Sequence, residues 1–149
     1  MADGSYGIDA LPRSPVPQTS STPVLLVSIA LGSAMGGVAR YLLTVFVQDR
    51  TATAFPFGTL AVNIAGCLIL GFLVQLLADR GTYSHATQAL LTTGFCGGFT
   101  TFSTFSWETV RLLQEGAVSR AIAYVSVSLV AGLAALWFGM SAARFTSAP

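Results

Sequence analysis

Lysine is absent from this chain of 149 residues, and charge of either sign is scarce: seven arginines and six acidic residues, 9% charged in all. Soluble domains carry about 25% charged residues. This chain has too little polarity to cover a water-facing surface. Its 53% hydrophobic content and mean hydropathy of +0.70 are those of an integral membrane protein. Histidine occurs once, at His85, and cysteine twice, at Cys67 and Cys96. That is too little for a His/Cys metal cluster, and both cysteines fall in apolar stretches, where they read as small core residues. The arginines stand singly at Arg13, Arg40, Arg50, Arg80, Arg111, Arg120 and Arg144, which excludes a basic patch for nucleic acid. No nucleophile–base pair or phosphate loop is visible, so the chain does not read as an enzyme.

What the chain does have is apolar length. Residues 1–22 are rich in Asp, Ser, Pro and Gly and read as a disordered tail. They are not a secretory signal, since they open with acidic residues and lack an early apolar core. Residues 23–145 read as one four-helix transmembrane domain, with spans of roughly 20 residues each, and 146–149 as a short C-terminal tail. Span 1 covers about Val24 to Val47, span 2 about Phe57 to Ala78, span 3 about Thr87 to Leu113 and span 4 about Ala117 to Ala142. His85 falls in the loop before span 3. Gly32-x-x-x-Gly36 marks a close helix contact in span 1. Glu108 and Arg111, at (i, i+3), read as an interfacial ion pair. Four spans leave both termini on one side, with Arg13, Arg80 and Arg144. The other side has Arg50 and Arg120, and Arg111 if it clears the membrane. The positive-inside rule gives no orientation from such a count, which fits either a weak bias or insertion in both orientations.

Span 3 carries the most unusual stretch, Gly94 to Ser106, with three glycines, five hydroxyl residues and four phenylalanines. Hydroxyls and glycines in hydrocarbon need protein partners or must line a cavity. Two readings are open: the wall of a pathway with a helix break near Gly97 and Gly98, or a helix–helix contact face. Phe99, Phe102 and Phe105 recur at spacing three and share a stripe on a regular helix. The stripe serves packing, or presents electropositive ring edges to an anion. Asn63, in span 2 with Thr59 one turn before it, is interhelical glue or an amide donor to an anion. Ser103, Thr104, Ser128 and Tyr124 add neutral donors. Arg40 either snorkels or bonds helix ends, or attracts anions in a vestibule. Neutral donors can replace water around a small anion and still release it, which a fixed deep cation would not.

Three stretches resemble the CrcB/Fluc fluoride channels of bacteria and some other microbes: Gly36-Gly37-Val38-Ala39-Arg40-Tyr41, Gly58 to Gly66 with Thr59 and Asn63, and Gly94 to Phe105. The resemblance covers about Val24 to Arg144, and the third stretch is its most specific part. It implies an antiparallel, dual-topology homodimer of four-helix subunits, all-α, with the third helix broken in mid-membrane. Two narrow pores each draw on both subunits. Asn63 would donate its amide to fluoride, Phe102 and Phe105 would present ring edges, and Ser103, Thr104 and Thr59 would lie by the track. Tyr124 and Ser128 would continue it on span 4. Gly132 stands where some members have a further hydroxyl. A structural sodium ion at the dimer two-fold would be held by main-chain carbonyls of Gly97 and Thr100. Arg40 would have a vestibule or structural role. The expected partners are a second copy, fluoride and the bilayer of the cell (plasma or inner) membrane.

The implied function is passive, selective export of cytoplasmic fluoride, protecting the cell from it. Two other classes stand beside it. A small dual-topology exporter of cationic compounds would need an early in-span carboxylate, and spans 1 and 2 have none. A non-transporting membrane scaffold would give no anion flux.

Overall fold

The computed structural model describes residues 20–51, 53–80 and 83–147. Most of the N-terminal tail, residues 1–19, lies outside them, as do residues 148 and 149. Among the described residues the chain is all-helical, with three helices long and apolar enough to cross a membrane. Helix α1 spans Thr22–Thr51, α2 Phe57–Arg80 and α6 Val118–Ser147. Between α2 and α6 the chain runs in pieces: α3 (His85–Ala89), a π-helical stretch (Leu90–Cys96), α4 (Gly97–Phe99) and α5 (Phe102–Gln114).

Each long helix runs past the C-terminal end of its expected span, α1 by four residues, α2 by two and α6 by five. Pro23 does not interrupt the helix. It sits in the first turn of α1, where its missing N–H costs nothing. At the other terminus α6 continues to Ser147, through the first two residues of the expected C-terminal tail. His85 is not in a loop either. It opens α3, capped by Ser84, whose hydroxyl accepts from the Thr87 N–H at 3.1 Å. Glu115 and Gly116 turn the chain between α5 and α6, with Gly116 at φ +72°, a conformation only glycine adopts freely.

Glycines set how closely the helices approach. A Cβ on Gly32 would strike the Leu90 carbonyl, and one on Gly36 would strike the Phe95 carbonyl. The expected small-residue contact of span 1 is therefore made, against the π-helical stretch. On the other side of the molecule, Gly71 of α2 lies against the Leu136 carbonyl and Gly139 of α6 against that of Leu68. With no apolar solvent to flee, helices in lipid associate through such close packing. Outward faces carry large exposed apolar side chains, among them Leu26, Leu42, Leu129 and Leu133. That surface suits lipid and not water.

The buried centre lies where α2, α5 and α6 meet. Leu60, Leu112, Ala121 and Tyr124 form it, with Phe55, Ile64, Phe105 and Ala117 packed against them. Tyr124 and Leu112 are 0% exposed and Thr59, beside them, is 2% exposed. Tyr124 and Thr59 both carry hydroxyls, so the centre of this apolar molecule is polar.

Candidate functional site

The segment between α2 and α6 breaks at Thr100–Thr101, three residues beyond the glycines expected to break it. Gly97 and Gly98 are helical, whereas Thr100 has ψ 158° and Thr101 has φ −149° and ψ 109°, both extended. A partner on another helix sets the position. Asn63 of α2 grips the Thr101 backbone with both ends of its side-chain amide. Its Oδ1 accepts from the Thr101 N–H at 2.9 Å, and its Nδ2 donates to the Thr101 carbonyl at 3.2 Å. In a continuing helix that N–H would go to the Gly97 carbonyl. Thr101 also caps α5: its hydroxyl accepts from the Thr104 N–H at 3.2 Å and donates to Thr104 Oγ1 at 2.8 Å. The break is thus satisfied at each exposed backbone group of Thr101, as apolar surroundings demand.

The break also divides the phenylalanines. Phe99, before it, is 5% exposed and stacks on Phe95 with centroids 5.7 Å apart. Phe102 and Phe105, after it, pair at 5.8 Å, and Phe105 packs on Tyr124 at 5.1 Å. The expected three-residue stripe assumed an unbroken helix and does not form. Phe102 is 80% exposed, an aromatic ring projecting from the chain.

A cavity of about 270 Å³ opens beside the clamp, lined by Asn63, Cys67, Thr101, Phe102, Phe105 and Ser128 among others. Ser128 Oγ is buried there with no hydrogen-bond partner. The Asn63 amide has a second N–H beyond the one given to Thr101. On the far side of Thr101 lies a second cavity of about 400 Å³, lined by Gly37, Arg40, Tyr41, Thr44, Thr59, Thr101, Ser103, Thr104 and Glu108. The fold therefore brings Asn63, Phe102, Phe105 and Ser128 to one side of the break. It brings Thr59, Ser103, Thr104 and Arg40 to the other, with Thr101 common to both.

Tyr124 lines neither. Its hydroxyl donates to Glu108 Oε2 at 2.7 Å, while Thr59 Oγ1 donates to Glu108 Oε1 at 2.9 Å. Glu108 is held by α2 and α6 together, and the expected ion pair with Arg111 is not made. Among the described residues the recorded ion pair is Arg111 with Glu115, Nε to Oε1 at 3.4 Å. One reason is distance along the helix: (i, i+4) serves Arg111 as well as (i, i+3). The other is that Glu108 gives each of its oxygens to a buried hydroxyl, Thr59 on one and Tyr124 on the other. Sequence reading missed Glu108 and Thr101 as parts of the site. Thr101 did carry a signal, a hydroxyl residue just before a new amphipathic run, where a helix N-cap belongs.

The chain is similar to known proteins over most of its length. Residues 27–140 match the family described as CrcB-like protein, Camphor Resistance (CrcB). A protein of Acidobacterium capsulatum named fluoride-specific ion channel FluC is 42% identical over 112 residues, covering 75% of this chain and 90% of that protein. Its namesake in Citrifermentans bemidjiense is 45% identical over 119 residues, covering 80% and 96%. That of Chlorobium phaeobacteroides is 43% identical over 119 residues, covering 80% and 92%.

Proposed function

This chain belongs to the CrcB family, and from that premise we propose how its geometry works as a fluoride-selective channel of a cell membrane, crossed several times by the chain. It is not an enzyme. It lets fluoride leave the cytoplasm passively, driven by the membrane potential at about 2.3 kcal/mol per charge per 100 mV. Hydrogen fluoride enters as a neutral weak acid and dissociates inside, so an open path for the anion alone relieves the cell. The exporter of cationic compounds finds no support among the named relatives.

The observation that carries the reading is the Asn63 clamp at the Thr101 break. Thr101, which it holds, lines two cavities, and two phenylalanine rings line one of them. The anion passes Phe102 and Phe105 at their ring edges, takes the spare Asn63 N–H, and meets the hydroxyls of Ser128 on one side and Thr104 and Ser103 on the other. Thr59 and Tyr124 act one step back, by holding Glu108. Arg40 lies in the wider cavity and draws anions toward it.

A second copy completes each path. The 80% exposure of Phe102 supports this, since the ring has little of its own chain to pack on. The two copies pair antiparallel and insert in both orientations, in keeping with the even spread of arginines. Each copy crosses four times, the broken segment from α3 to α5 being one crossing. A sodium ion on the two-fold suits the chain's own oxygens. The Gly97 carbonyl has lost its helical donor to Asn63, Thr100 is extended, and Gly97 is exposed with nothing within 4 Å of its Cβ position. Carbonyl oxygens are the ligands a hard cation prefers. Bound there, the ion would supply fixed positive charge and join the two chains.

Phe102→Ile and Phe105→Ile test the pathway. Each should cut fluoride efflux from proteoliposomes at least tenfold while the protein elutes as before. Wild-type efflux from both variants would contradict the path.

A further inference from the structure

Glu108 stands between two cavities, and each contains one arginine. On one side it shares the 400 Å³ space with Arg40. On the other it lines a separate cavity of about 200 Å³ with Thr44, Gln48, Thr53, Thr59 and Arg111. Thr44 and Thr59 line both, so the two spaces meet across the carboxylate. The fluoride path uses the first and leaves the second without a purpose.

Arg111 lines that second space, and its recorded ionic contact is with Glu115 at its Nε edge. Its side chain is 41% exposed, yet its Nε is buried and makes no hydrogen bond, though it lies 3.4 Å from Glu115 Oε1. Its Cζ sits 5.3 Å from the centre of the Trp107 ring, which fixes the guanidinium by a cation–π contact. Neither contact engages Glu108, whose oxygens accept from Thr59 and Tyr124. The opposite wall is fastened by Gln48. Its Nε2 donates to the carbonyls of Thr53 at 2.7 Å and Phe55 at 3.3 Å, and its Oε1 accepts from the Gly58 N–H at 3.3 Å. That side chain ties the α1–α2 turn to the start of α2, so the cavity has a set shape.

A carboxylate beside an anion path raises a barrier unless positive charge offsets it. Arginine is charged at every physiological pH and offers several donors in one plane. We propose that the second cavity is an entry station for a small monovalent anion. Arg111 and the Thr53 and Thr44 hydroxyls hold the anion there while it is still partly hydrated, and the guanidinium, shared with Glu115, offsets part of the field of Glu108. Partial exposure keeps the hold weak, so the anion moves on. The station gathers halides in general and leaves selection to the narrower part of the path. This inference rests on the fluoride-channel reading.

The test compares the wild type, Arg111→Gln and Arg111→Lys in proteoliposomes, by fluoride efflux at two ionic strengths. At about 10 mM salt the Debye length is about 30 Å, and in about 1 M potassium gluconate it is about 3 Å. Arg111→Gln should lower efflux about threefold or more at low salt and converge on the wild type at high salt. Arg111→Lys, which restores charge, should recover most of the loss. A loss equal at both salts would show a structural role and overturn the station, as would wild-type efflux from Arg111→Gln at low salt. Either result leaves the channel reading standing if the wild type conducts. A silent wild type would bring down that reading and the station with it.

Discussion

Asn63 and Thr59 do related work with different atoms. Asn63 pairs a broken backbone, and Thr59 pairs a buried carboxylate. Asn63→Ala would leave the N–H and carbonyl of Thr101, itself 8% exposed, without their side-chain partners. Each orphaned group costs about 1–3 kcal/mol. The expected result is a lower thermal unfolding midpoint in detergent together with lost fluoride efflux. An unchanged midpoint would show that Thr101 finds other partners. Thr59→Val keeps shape and removes one hydroxyl, and hydrogen bonds to charged groups contribute about 1.5–3 kcal/mol. Here the midpoint should fall by a similar or smaller amount, measured in the same way. Asn63 was legible as a polar residue among apolar neighbours, and its reading as glue is met at Thr101, with one amide N–H left over. Glu108 was misread because its partners, Thr59 and Tyr124, are remote in sequence, and spacing along a helix reveals only neighbours such as Arg111.

Among the elements, the broken third segment depends on α1. Gly36 and Gly37 are adjacent in sequence but face different things. A Cβ on Gly36 would meet the Phe95 carbonyl, and one on Gly37 would meet nothing within 4 Å. Gly36→Ala should therefore destabilise by about 1–3 kcal/mol through overpacking. Gly37→Ala should not, and adds helix propensity. Differential unfolding of the two variants checks this, and equal losses would contradict one-sided packing. The three long helices were readable from apolar length alone. The site of the break was not. Glycine is the residue expected to interrupt a helix, yet Gly97 and Gly98 remain helical. A Cβ on Gly98 would strike the Ser33 carbonyl, so smallness there serves packing on α1 and not bending. The chain gives way where Asn63 offers a replacement for the helical hydrogen bond. The phenylalanine stripe failed for the same reason, since its period presumed a helix running through Thr100 and Thr101.

For the whole molecule, one chain leaves an aromatic ring 80% exposed beside the cavity at the Asn63 clamp. Antiparallel pairing would cover it. Native mass spectrometry should find a species of twice the chain mass that retains one sodium ion, and a monomer that still conducts would contradict pairing. Membrane insertion was plain from composition, and the even arginine count left a weak bias and insertion in both orientations equally open, but pairing geometry lies in surfaces that pattern alone does not specify. The most direct measurement is voltage-driven efflux from liposomes bearing the purified protein, with potassium and valinomycin setting the potential and a fluoride electrode reading the outside. Chloride-loaded vesicles run in parallel. Fast fluoride efflux that tracks the imposed potential, with no chloride efflux, is the expected result. No fluoride efflux from demonstrably dimeric protein, or equal passage of both anions, would contradict a fluoride-selective channel.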